Sequence, residues 1–297
     1  MKSFKFKKID AFTSGLSSGN PAGVIELSNI NEINENEMQK IAFELKDFVS
    51  EVAFICPSKE KNIDFNFRYF SSEREVPFCG HATIATAYDL IKEHTKLQLK
   101  DSINIRTQKG ISKIINKLKE ENLVYIETPN PIFIETNIDK NIIAKALNID
   151  IQDIALNPIE IVNVGQNILL VELFKKETCL NCNPDYITLK KFALENKLEV
   201  INIYTFDTVF QENNLRTRVF APAFGYLEDP ATGSANAALA YYLIKHKKWQ
   251  TNKLIIEQNN SSFNPNIIIL KNIENNVQVG GMAITKIKGE YNCYNYL

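Results

Sequence analysis

The chain contains an internal repeat, and this feature constrains the fold more than any other. Residues 68–92 recur as residues 218–245, with Gly80 matching Gly233 at an offset of 153 residues. The loop before the repeated helix is longer in the second copy, and loops that tolerate insertion often carry function. The further identical pairs at this offset are Ala82 with Ala235, Ala85 with Ala238, Ala87 with Ala240, Tyr88 with Tyr241, and residues 90–92 with 243–245.

The repeated helix predicts the architecture of each copy. Gly80 and Gly233 are followed by alanine-rich residues with almost no charge, so each helix is apolar on all sides. Such a helix is buried, and a sheet has to wrap around it. We therefore expect an α+β fold of two similar domains, each a sheet rolled around a central helix. The predicted domains are residues 1–118 and 119–276, and the closing strand, 277–297, is expected to return to the first.

Charge and hydropathy narrow the classes of partner. The 297 residues are 44% hydrophobic and carry 34 Lys+Arg against 35 Asp+Glu, a net charge of -1. A chain without excess positive charge is a poor binder of nucleic acid or anionic membrane, so a small molecule is the expected partner. Residues 1–11 lack the apolar core of a signal peptide, and no apolar run approaches the roughly 18 residues of a membrane helix. We expect a soluble, cytoplasmic protein.

The five cysteines give no disulfide framework. Cys179 and Cys182 have the spacing of a redox or zinc motif, but the chain offers no second pair and no histidine cluster near them. We interpret them as plain thiols in a loop, and we predict no metal site.

The starts of the two repeated helices are the predicted binding site. The first N–H groups of a helix have no partner within it, and together with the helix dipole they attract anions. Two such starts, at Gly80 and Gly233, facing each other across a cleft would hold a carboxylate. The alternative is that Ser234 and the loop before it only cap the helix.

Three side chains suit proton transfer. His81 stands at a helix start, where the dipole disfavours protonation and is expected to keep the ring neutral. Glu51 stands in an otherwise apolar strand, where desolvation is expected to raise its pKa towards the range of a general acid/base. Asp229 lies in the longer loop of the second copy. The alternatives are a strand position on the wet face for Glu51 and a structural cap for Asp229.

These residues carry a family resemblance. Together the motifs resemble the phenazine biosynthesis PhzF-like family, in family order and over nearly the whole chain. The resemblance implies the diaminopimelate epimerase-like fold, two domains with mostly antiparallel rolled sheets and the active site between them. The motifs are Asp-Ala-Phe at 10–12, Gly-Asn-Pro-Ala-Gly-Val at 19–24, Ser-Glu-Val-Ala-Phe at 50–54, Phe-Cys-Gly-His-Ala-Thr at 78–83, Phe-Ala-Pro at 220–222 and Glu-Asp-Pro-Ala-Thr-Gly-Ser-Ala-Asn at 228–236.

The resemblance also implies an activity and a set of roles. The family's chemistry is a cofactor-free isomerisation, in which a proton moves along a conjugated, carboxylate-bearing ring. Glu51 matches the catalytic acid/base, and His81, Asp229 and Ser234 match its supporting residues. Asn20, after the first strand, would shape the pocket, although a plain tight turn explains it as well. Family members are commonly homodimers, so a homodimer in a biosynthetic process is expected.

One position leaves a rival mechanism open. By resemblance, epimerases of this fold use two cysteines, one at each helix start. This chain has Cys79 at the first and Thr232 at the second, and a threonine hydroxyl is too weak an acid to replace a thiolate. A one-thiol epimerase or dehydratase acting on an amino-acid-like substrate through Cys79, or a binding protein without chemistry, remain alternatives. Cys79 is otherwise a small apolar residue at a buried turn.

Overall fold

The computed structural model describes residues 2–249 and 251–293, which form two compact units. Unit 1 comprises the chain up to Glu127 together with the chain from Gly280 onward, and unit 2 comprises Thr128–Val279. This division differs from the predicted boundary at residue 118. The reason is that the segment after 118 forms a short helix and a strand that pairs within unit 1.

Unit 1 has a sheet of nine strands and four helices within the described residues. Its strands are β1 (Lys2–Ala11), β2 (Asn20–Glu26), β3 (Glu51–Pro57), β4 (Phe65–Ser71), β5 (Glu75–Val76), β6 (Ser102–Thr107), β7 (Gly110–Lys117), β8 (Leu123–Glu127) and β18 (Ala283–Cys293). Its helices are α1 (Glu35–Glu44), α2 (Gly80–Glu93), α3 (Thr95–Gln98) and α4 (Leu118–Glu121).

Unit 2 repeats the same order of elements. Its strands are β9 (Ile132–Ile134), β10 (Glu160–Asn163), β11 (Asn167–Glu172), β12 (Val200–Thr205), β13 (Leu215–Phe220), β14 (Glu228–Asp229), β15 (Lys253–Gln258), β16 (Asn266–Ile273) and β17 (Asn276–Gly281), which begins in this unit. Its helices are α5 (Lys140–Leu147), α6 (Lys176–Asn181), α7 (Tyr186–Glu195) and α8 (Gly233–Lys245), with 3₁₀ turns at Ile151–Asp153 and Pro222–Phe224.

Strand pairing is the same in the two units. In unit 1, β2 is antiparallel to β1 and parallel to β3, and β4 is antiparallel to β3 and β5 and parallel to β6. In unit 2, β11, β10, β12, β13, β14 and β15 make the corresponding pairs with the same directions. Since the other strand pairs of the two units, such as β1 with β18 and β15 with β16, are antiparallel, each sheet is mostly antiparallel, as predicted.

Each sheet wraps around its alanine-rich helix. Helix α2 contacts β1, β2, β3, β8 and β18, and helix α8 contacts β10, β11, β12 and β16. Residues 82–91 of α2 and 235–243 of α8 are buried without interruption. Small side chains allow strands to approach a helix axis from several directions. The prediction of two centrally buried helices is confirmed.

A second helix covers the outside of each sheet. Helix α1 begins with a capping box between Asn34 and Glu37 and buries Met38, Ile41 and Ala42. Helix α7 takes the same place in unit 2, with Asp185 as its N-cap. The short strands β5 and β14 place the first residues of α2 and α8, the central helices of the two units.

No helix among the described residues is long and apolar enough to cross a membrane.

An arginine–glutamate pair braces each short strand. Arg68 binds Glu75 through two hydrogen bonds, both 2.7 Å, and Arg218 binds Glu228 through two, at 2.9 and 2.7 Å. Both guanidinium groups also lie over a phenylalanine ring two residues further on. A bidentate pair of this kind fixes the angle between two strands. Glu228, the acid of the Glu228-Asp229 pair that faces arginine, is therefore structural, as is Glu75 in unit 1.

Candidate active site

The candidate site of unit 1 lies where β3 begins and α2 starts. Glu51 is the first residue of β3, and its partner across the parallel pair is Ala22 of β2. Cys79 is the N-cap of α2, Gly80 is its first residue and His81 its second. Because β3 and the short β5 both pair with β4, the chain brings Glu51 next to a helix start about thirty residues later. We call Glu51, Cys79 and His81 the Glu51 cluster.

The imidazole of His81 is the centre of this cluster. Its Nε2 lies 3.2 Å from Oε2 of Glu51 and 3.2 Å from Oγ of Ser50, and its Nδ1 lies 3.5 Å from Sγ of Cys79. Ser50 donates its own hydroxyl proton to the carbonyl oxygen of Pro21, at 3.1 Å. The Ser50 oxygen is therefore available as an acceptor, and it favours a proton on Nε2 of His81.

The Glu51 carboxylate is largely buried and incompletely bonded. Its side chain is 20% exposed, and among the described residues no group donates a directed hydrogen bond to the buried Oε2. The contact with His81 is close enough for an ion pair, but its angle is not that of a hydrogen bond. A buried carboxylate oxygen without a donor is costly for stability, and such atoms are found where function requires them.

The charge state of the cluster differs from the prediction. Burial raises the pKa of Glu51, but the neighbouring His81 lowers it more, so its pKa lies below the usual value. Burial lowers the pKa of His81, but Cys79 and Glu51 raise it more, and it lies well above the usual value. The predictions of a raised pKa for Glu51 and a neutral His81 are wrong, because the contacts of His81 with Cys79 and Glu51 outweigh desolvation and the helix dipole. The expected state near neutral pH is a carboxylate beside an imidazolium.

Cys79 is a buried thiol in this arrangement. Burial raises its pKa, and the charge of Glu51 adds to this effect, although His81 opposes it. The sulfur is therefore protonated at neutral pH, and a thiolate nucleophile is disfavoured. The backbone carbonyl of Cys79 accepts from Oγ1 of Thr83, at 2.6 Å, and this hydroxyl also contacts the hydroxyl of Tyr69.

The corresponding place in unit 2 is neutral apart from Asp229. Asp229 ends β14, Thr232 is the N-cap of α8, and Gly233 and Ser234 are its first two residues. The Thr232 hydroxyl donates to Oδ2 of Asp229, at 2.6 Å. Asp229 thus orients a threonine side chain, and Ser234 lies inside the helix and is not its cap. Oγ of Ser234 lies 3.4 Å from Oε1 of Gln166.

Gln258 holds this second helix start together. Its side-chain amide donates to the carbonyl oxygen of Asp229 and to Oγ1 of Thr232, at 2.8 and 3.0 Å. Its carbonyl oxygen accepts from the Thr232 N–H and from Nδ2 of Asn236, at 3.0 and 2.7 Å. We call Gln258, Asp229, Thr232 and Asn236 the Gln258 network. Gln258, Thr232 and Asn236 are buried and Asp229 is half-buried, and the network fixes the loop that precedes α8.

Asn20 directly follows a turn position, residue 19, that only glycine can occupy. Gly19 has a φ of +69°, and a Cβ there would lie 2.7 Å from the carbonyl oxygen of Ala11. Asn20 then begins β2 and is buried. The turn brings the Pro21 carbonyl to Ser50, which links this loop to the His81 contact.

The structure thus gathers the predicted residues in two groups. Glu51, Cys79, Gly80 and His81 meet in unit 1, and Asp229, Thr232, Gly233 and Ser234 meet in unit 2. The sequence motifs gave no role to four residues of these groups: Ser50, Gln166, Asn236 and Gln258. Ser50 and Asn236 nevertheless stand inside the quoted motifs. The signal for Gln258 is a polar residue that follows the apolar residues 254–256 of a strand.

The two groups of cysteines differ in their surroundings. The Glu51 cluster has its three potential ligand atoms within 4.8 Å of one another, which makes it a possible metal site within residues 2–249 and 251–293.

Cys179 lies in helix α6 and Cys182 is its C-cap, so the prediction that these two thiols lie in a loop is wrong. Burial raises the pKa of both thiols to about 12. Arg218 donates to the carbonyl oxygens of both residues and thereby caps the end of α6.

Comparison with known proteins places this arrangement in context. Residues 9–289 match the model of the PhzC-PhzF family, described as phenazine biosynthesis-like protein. An uncharacterized isomerase of Clostridium acetobutylicum is 35% identical over 254 residues, which cover 83% of this chain and 81% of that protein. The resemblance found in the motifs is confirmed.

Solved structures show the same fold. The PhzF-family phenazine biosynthesis protein of Bacillus anthracis is similar with a TM-score of 0.86 at 24% identity, over 99% of this chain and 100% of that one. A hydroxyproline epimerase of Agrobacterium vitis is similar with a TM-score of 0.62 at 10% identity, over 98% and 91%. At these identities the likeness concerns the fold alone, and it confirms the predicted epimerase-like fold class.

Proposed function

The chain belongs to the PhzC-PhzF family of phenazine biosynthesis-like proteins, and from this premise we propose that it is an isomerase. The proposed reaction moves a proton between two carbon atoms of a small, carboxylate-bearing substrate without a cofactor. Glu51 is the general acid/base. The name of the relative from Clostridium acetobutylicum supports the reaction class.

The observation that carries the proposal is the state of Glu51. Its Oε2 accepts no directed hydrogen bond from the described residues, and the side chain as a whole is 20% exposed, so the carboxylate keeps unshared electron pairs for a proton. The lowered pKa of this carboxyl keeps it ionised near neutral pH, which is the form that a base needs. His81, 3.2 Å away, supplies a positive charge beside the place where negative charge develops.

The proton and electron balance closes without a further reactant. Glu51 takes a proton from one carbon, and the electron pair left behind enters the conjugated system of the substrate. The resulting anion is stabilised by the imidazolium of His81 and by the free N–H groups at the start of α2. Glu51 then returns its proton to another carbon, so the product is an isomer and the carboxylate is restored.

Unit 2 is proposed to contribute binding. The N–H of Gly233 and the hydroxyl of Ser234 stand at the start of α8, whose approach loop the Gln258 network fixes. A helix start of this kind suits a carboxylate group. That both helix starts serve one substrate stays a prediction. It implies that variants in unit 2 raise KM for the carboxylate while kcat changes less.

Exchange in D2O tests the proposal. Candidate cyclic and amino-acid carboxylates are incubated with the protein, and deuterium gained at carbon is measured by mass spectrometry and NMR. We expect exchange in the natural chain, its loss in Glu51→Gln, and its retention in Cys79→Ser. Glu73→Gln is the matched control, because Glu73 is exposed in the loop between β4 and β5.

Other outcomes select the rival functions. Loss of exchange in Cys79→Ser with retention in Glu51→Gln would replace the proposal by the one-thiol mechanism, for which His81, 3.5 Å from the sulfur, supplies a positive charge that stabilises a thiolate. A carboxylate that binds by calorimetry and never exchanges would favour a binding protein. Sedimentation velocity tests the expected homodimer.

A further inference from the structure

The Glu51 cluster combines three chemically different metal ligands. A carboxylate oxygen of Glu51, a ring nitrogen of His81 and Sγ of Cys79 all lie within 4.8 Å of one another. Oxygen, imidazole nitrogen and thiolate sulfur form a mixed set that suits Zn²⁺ and Co²⁺ and disfavours Mg²⁺ and Ca²⁺. Glu51 Oε2 is in addition a buried oxygen to which no described group donates a hydrogen bond. A cation would satisfy it.

The distances fit a tetrahedral ion with little movement. Bonds of about 2.0 Å to N and O and about 2.3 Å to S place the N and O ligands about 3.3 Å apart and the N and S ligands about 3.5 Å apart. The observed separations are 3.2 Å from Nε2 to Oε2 and 4.0 Å from Nε2 to Sγ. A shift of about half an ångström by the Cys79 sulfur, within the range of a χ1 adjustment, brings the N and S ligands to this separation.

We propose that Glu51, Cys79 and His81 bind a zinc-like divalent cation, and that the bound ion inhibits the enzyme. Binding forms one bond from the metal to each of the three residues. The thiol and the imidazolium each release one proton to solvent, so a dipositive ion enters and two protons leave. The fourth position stays open to water or to a substrate carboxylate.

Inhibition follows from the loss of the base. The lone pair of Glu51 that is free in the metal-free cluster becomes a metal bond, and it can no longer accept a proton from carbon. The His81 ring also loses the positive charge that stabilises the anion. This part of the inference rests on the proposed function, whereas the binding part does not. It also gives Cys79 a use that the isomerase mechanism does not require.

Cobalt spectroscopy tests the binding part. Co²⁺ is titrated into the full chain under reducing conditions, and we expect a near-ultraviolet thiolate-to-cobalt band and visible bands of a tetrahedral site at one equivalent. Cys79→Ser should lose the thiolate band, and His81→Gln should weaken binding at least about 100-fold, since losing even an outer partner costs 10–100-fold. Circular dichroism verifies that both variants are folded.

Cys182→Ser is the matched control for the other buried thiols. Arg218 donates hydrogen bonds to the carbonyl oxygens of Cys179 and Cys182, so these oxygens are not available to a metal ion. We therefore expect the cobalt band to persist in Cys182→Ser. Absence of the band in the natural chain, or its persistence in Cys79→Ser, overturns the site. The same titration with Mg²⁺ should leave the thermal transition unchanged, whereas Zn²⁺ should raise Tm.

The exchange assay separates failure of this inference from failure of the proposed function. Zn²⁺ at one equivalent should abolish deuterium exchange, and a chelator should restore it. Exchange that proceeds unchanged with the cobalt band present overturns the inhibition. If no carboxylate exchanges at all, the proposed function fails while the cobalt titration still decides the metal site.

Discussion

The two units share their scaffold and differ at the start of the central helix. In both units, the side chain four residues after the N-cap donates a hydrogen bond to the N-cap carbonyl oxygen. This residue is Thr83 in unit 1 and Asn236 in unit 2. When the strand pair β3–β4 is compared with the equivalent pair β12–β13, the position of Glu51 in unit 1 corresponds to that of Val200 in unit 2. Val200 is buried. The repeat therefore preserves the groups that place a helix and varies those that face its start.

Charge is the main difference between the two helix starts. Unit 1 carries a carboxylate and a histidine, and unit 2 has Val200 and Ser234 at the matching positions. Asp229 matches Val76, since both occupy the second position of the short strand beside the brace. A duplicated fold thus gives two equivalent positions, of which one is suited to proton transfer and the other to binding of a neutral or anionic group.

The largest expected effect separates these two roles. Glu51→Gln should lower kcat for exchange by about 10³-fold, since positioned acid/base groups contribute 10²–10⁴-fold. Ser234→Ala should raise KM by about tenfold, which corresponds to one hydrogen bond, and should change kcat little. Steady-state rates of both variants measure this. An equal loss of kcat in the two variants would break the proposed division of roles.

The arginine braces provide the next comparison. Arg218 is 5% exposed in its side chain and also caps α6, whereas Arg68 is 26% exposed. Arg218→Met should lower the free energy of unfolding by about 3–5 kcal/mol, because it breaks an ion pair whose guanidinium is buried and removes that group's hydrogen bonds to the carbonyl oxygens of α6. Arg68→Met should cost about 1 kcal/mol.

Urea unfolding of the two arginine variants measures this difference. The Glu228→Gln variant indicates how much of the loss comes from the unpaired acid. Equal destabilisation by Arg218→Met and Arg68→Met would show that burial does not distinguish the two braces.

The Gln258 network is the basis of a smaller effect. Gln258→Leu removes four hydrogen bonds and should destabilise the chain by about 2 kcal/mol, with faster amide exchange at the start of α8. Thr107→Val is the matched control, because Thr107 holds the corresponding position on β6 and bonds only within its own turn. Hydrogen exchange that is unchanged at residues 232–236 would contradict the role of Gln258.

Acid should weaken unit 1 slightly. Lys288 and Lys7 lower the pKa of Glu93, at the end of α2, from 4.5 to about 2. The unfolded chain then binds a proton that the folded chain does not, so stability falls as pH decreases from about 4.5 to about 2. Because Glu93 is partly exposed, we expect a loss of about 1 kcal/mol after solvent screening.

The Glu93→Gln variant should lack this component, which urea titrations at pH 5 and pH 3 would reveal. The matching position in unit 2 is His246. A pH dependence that is the same in Glu93→Gln and the natural chain contradicts the assignment.

The sequence by itself determined the scaffold. The repeat and the two alanine-rich segments predict two copies and two buried helices, because burial on all sides excludes charge from a helix and leaves a local pattern. The helix starts predicted at Gly80 and Gly233 are also where the structure begins its two central helices. The motifs brought Glu51, His81, Asp229 and Ser234 to attention.

Only the tertiary structure decided how the site groups are charged and held. The helix dipole predicted a neutral His81, but Cys79 and, 3.2 Å away, a carboxylate thirty residues earlier in the chain raise the pKa of the ring. Gln258 and Arg218 form hydrogen bonds with residues that lie 22 and 39 positions away in the chain, and they hold those residues in place. Hydrophobic periodicity reports the neighbours along one element, whereas electrostatic and hydrogen-bond partners are set by which elements the sheet places side by side.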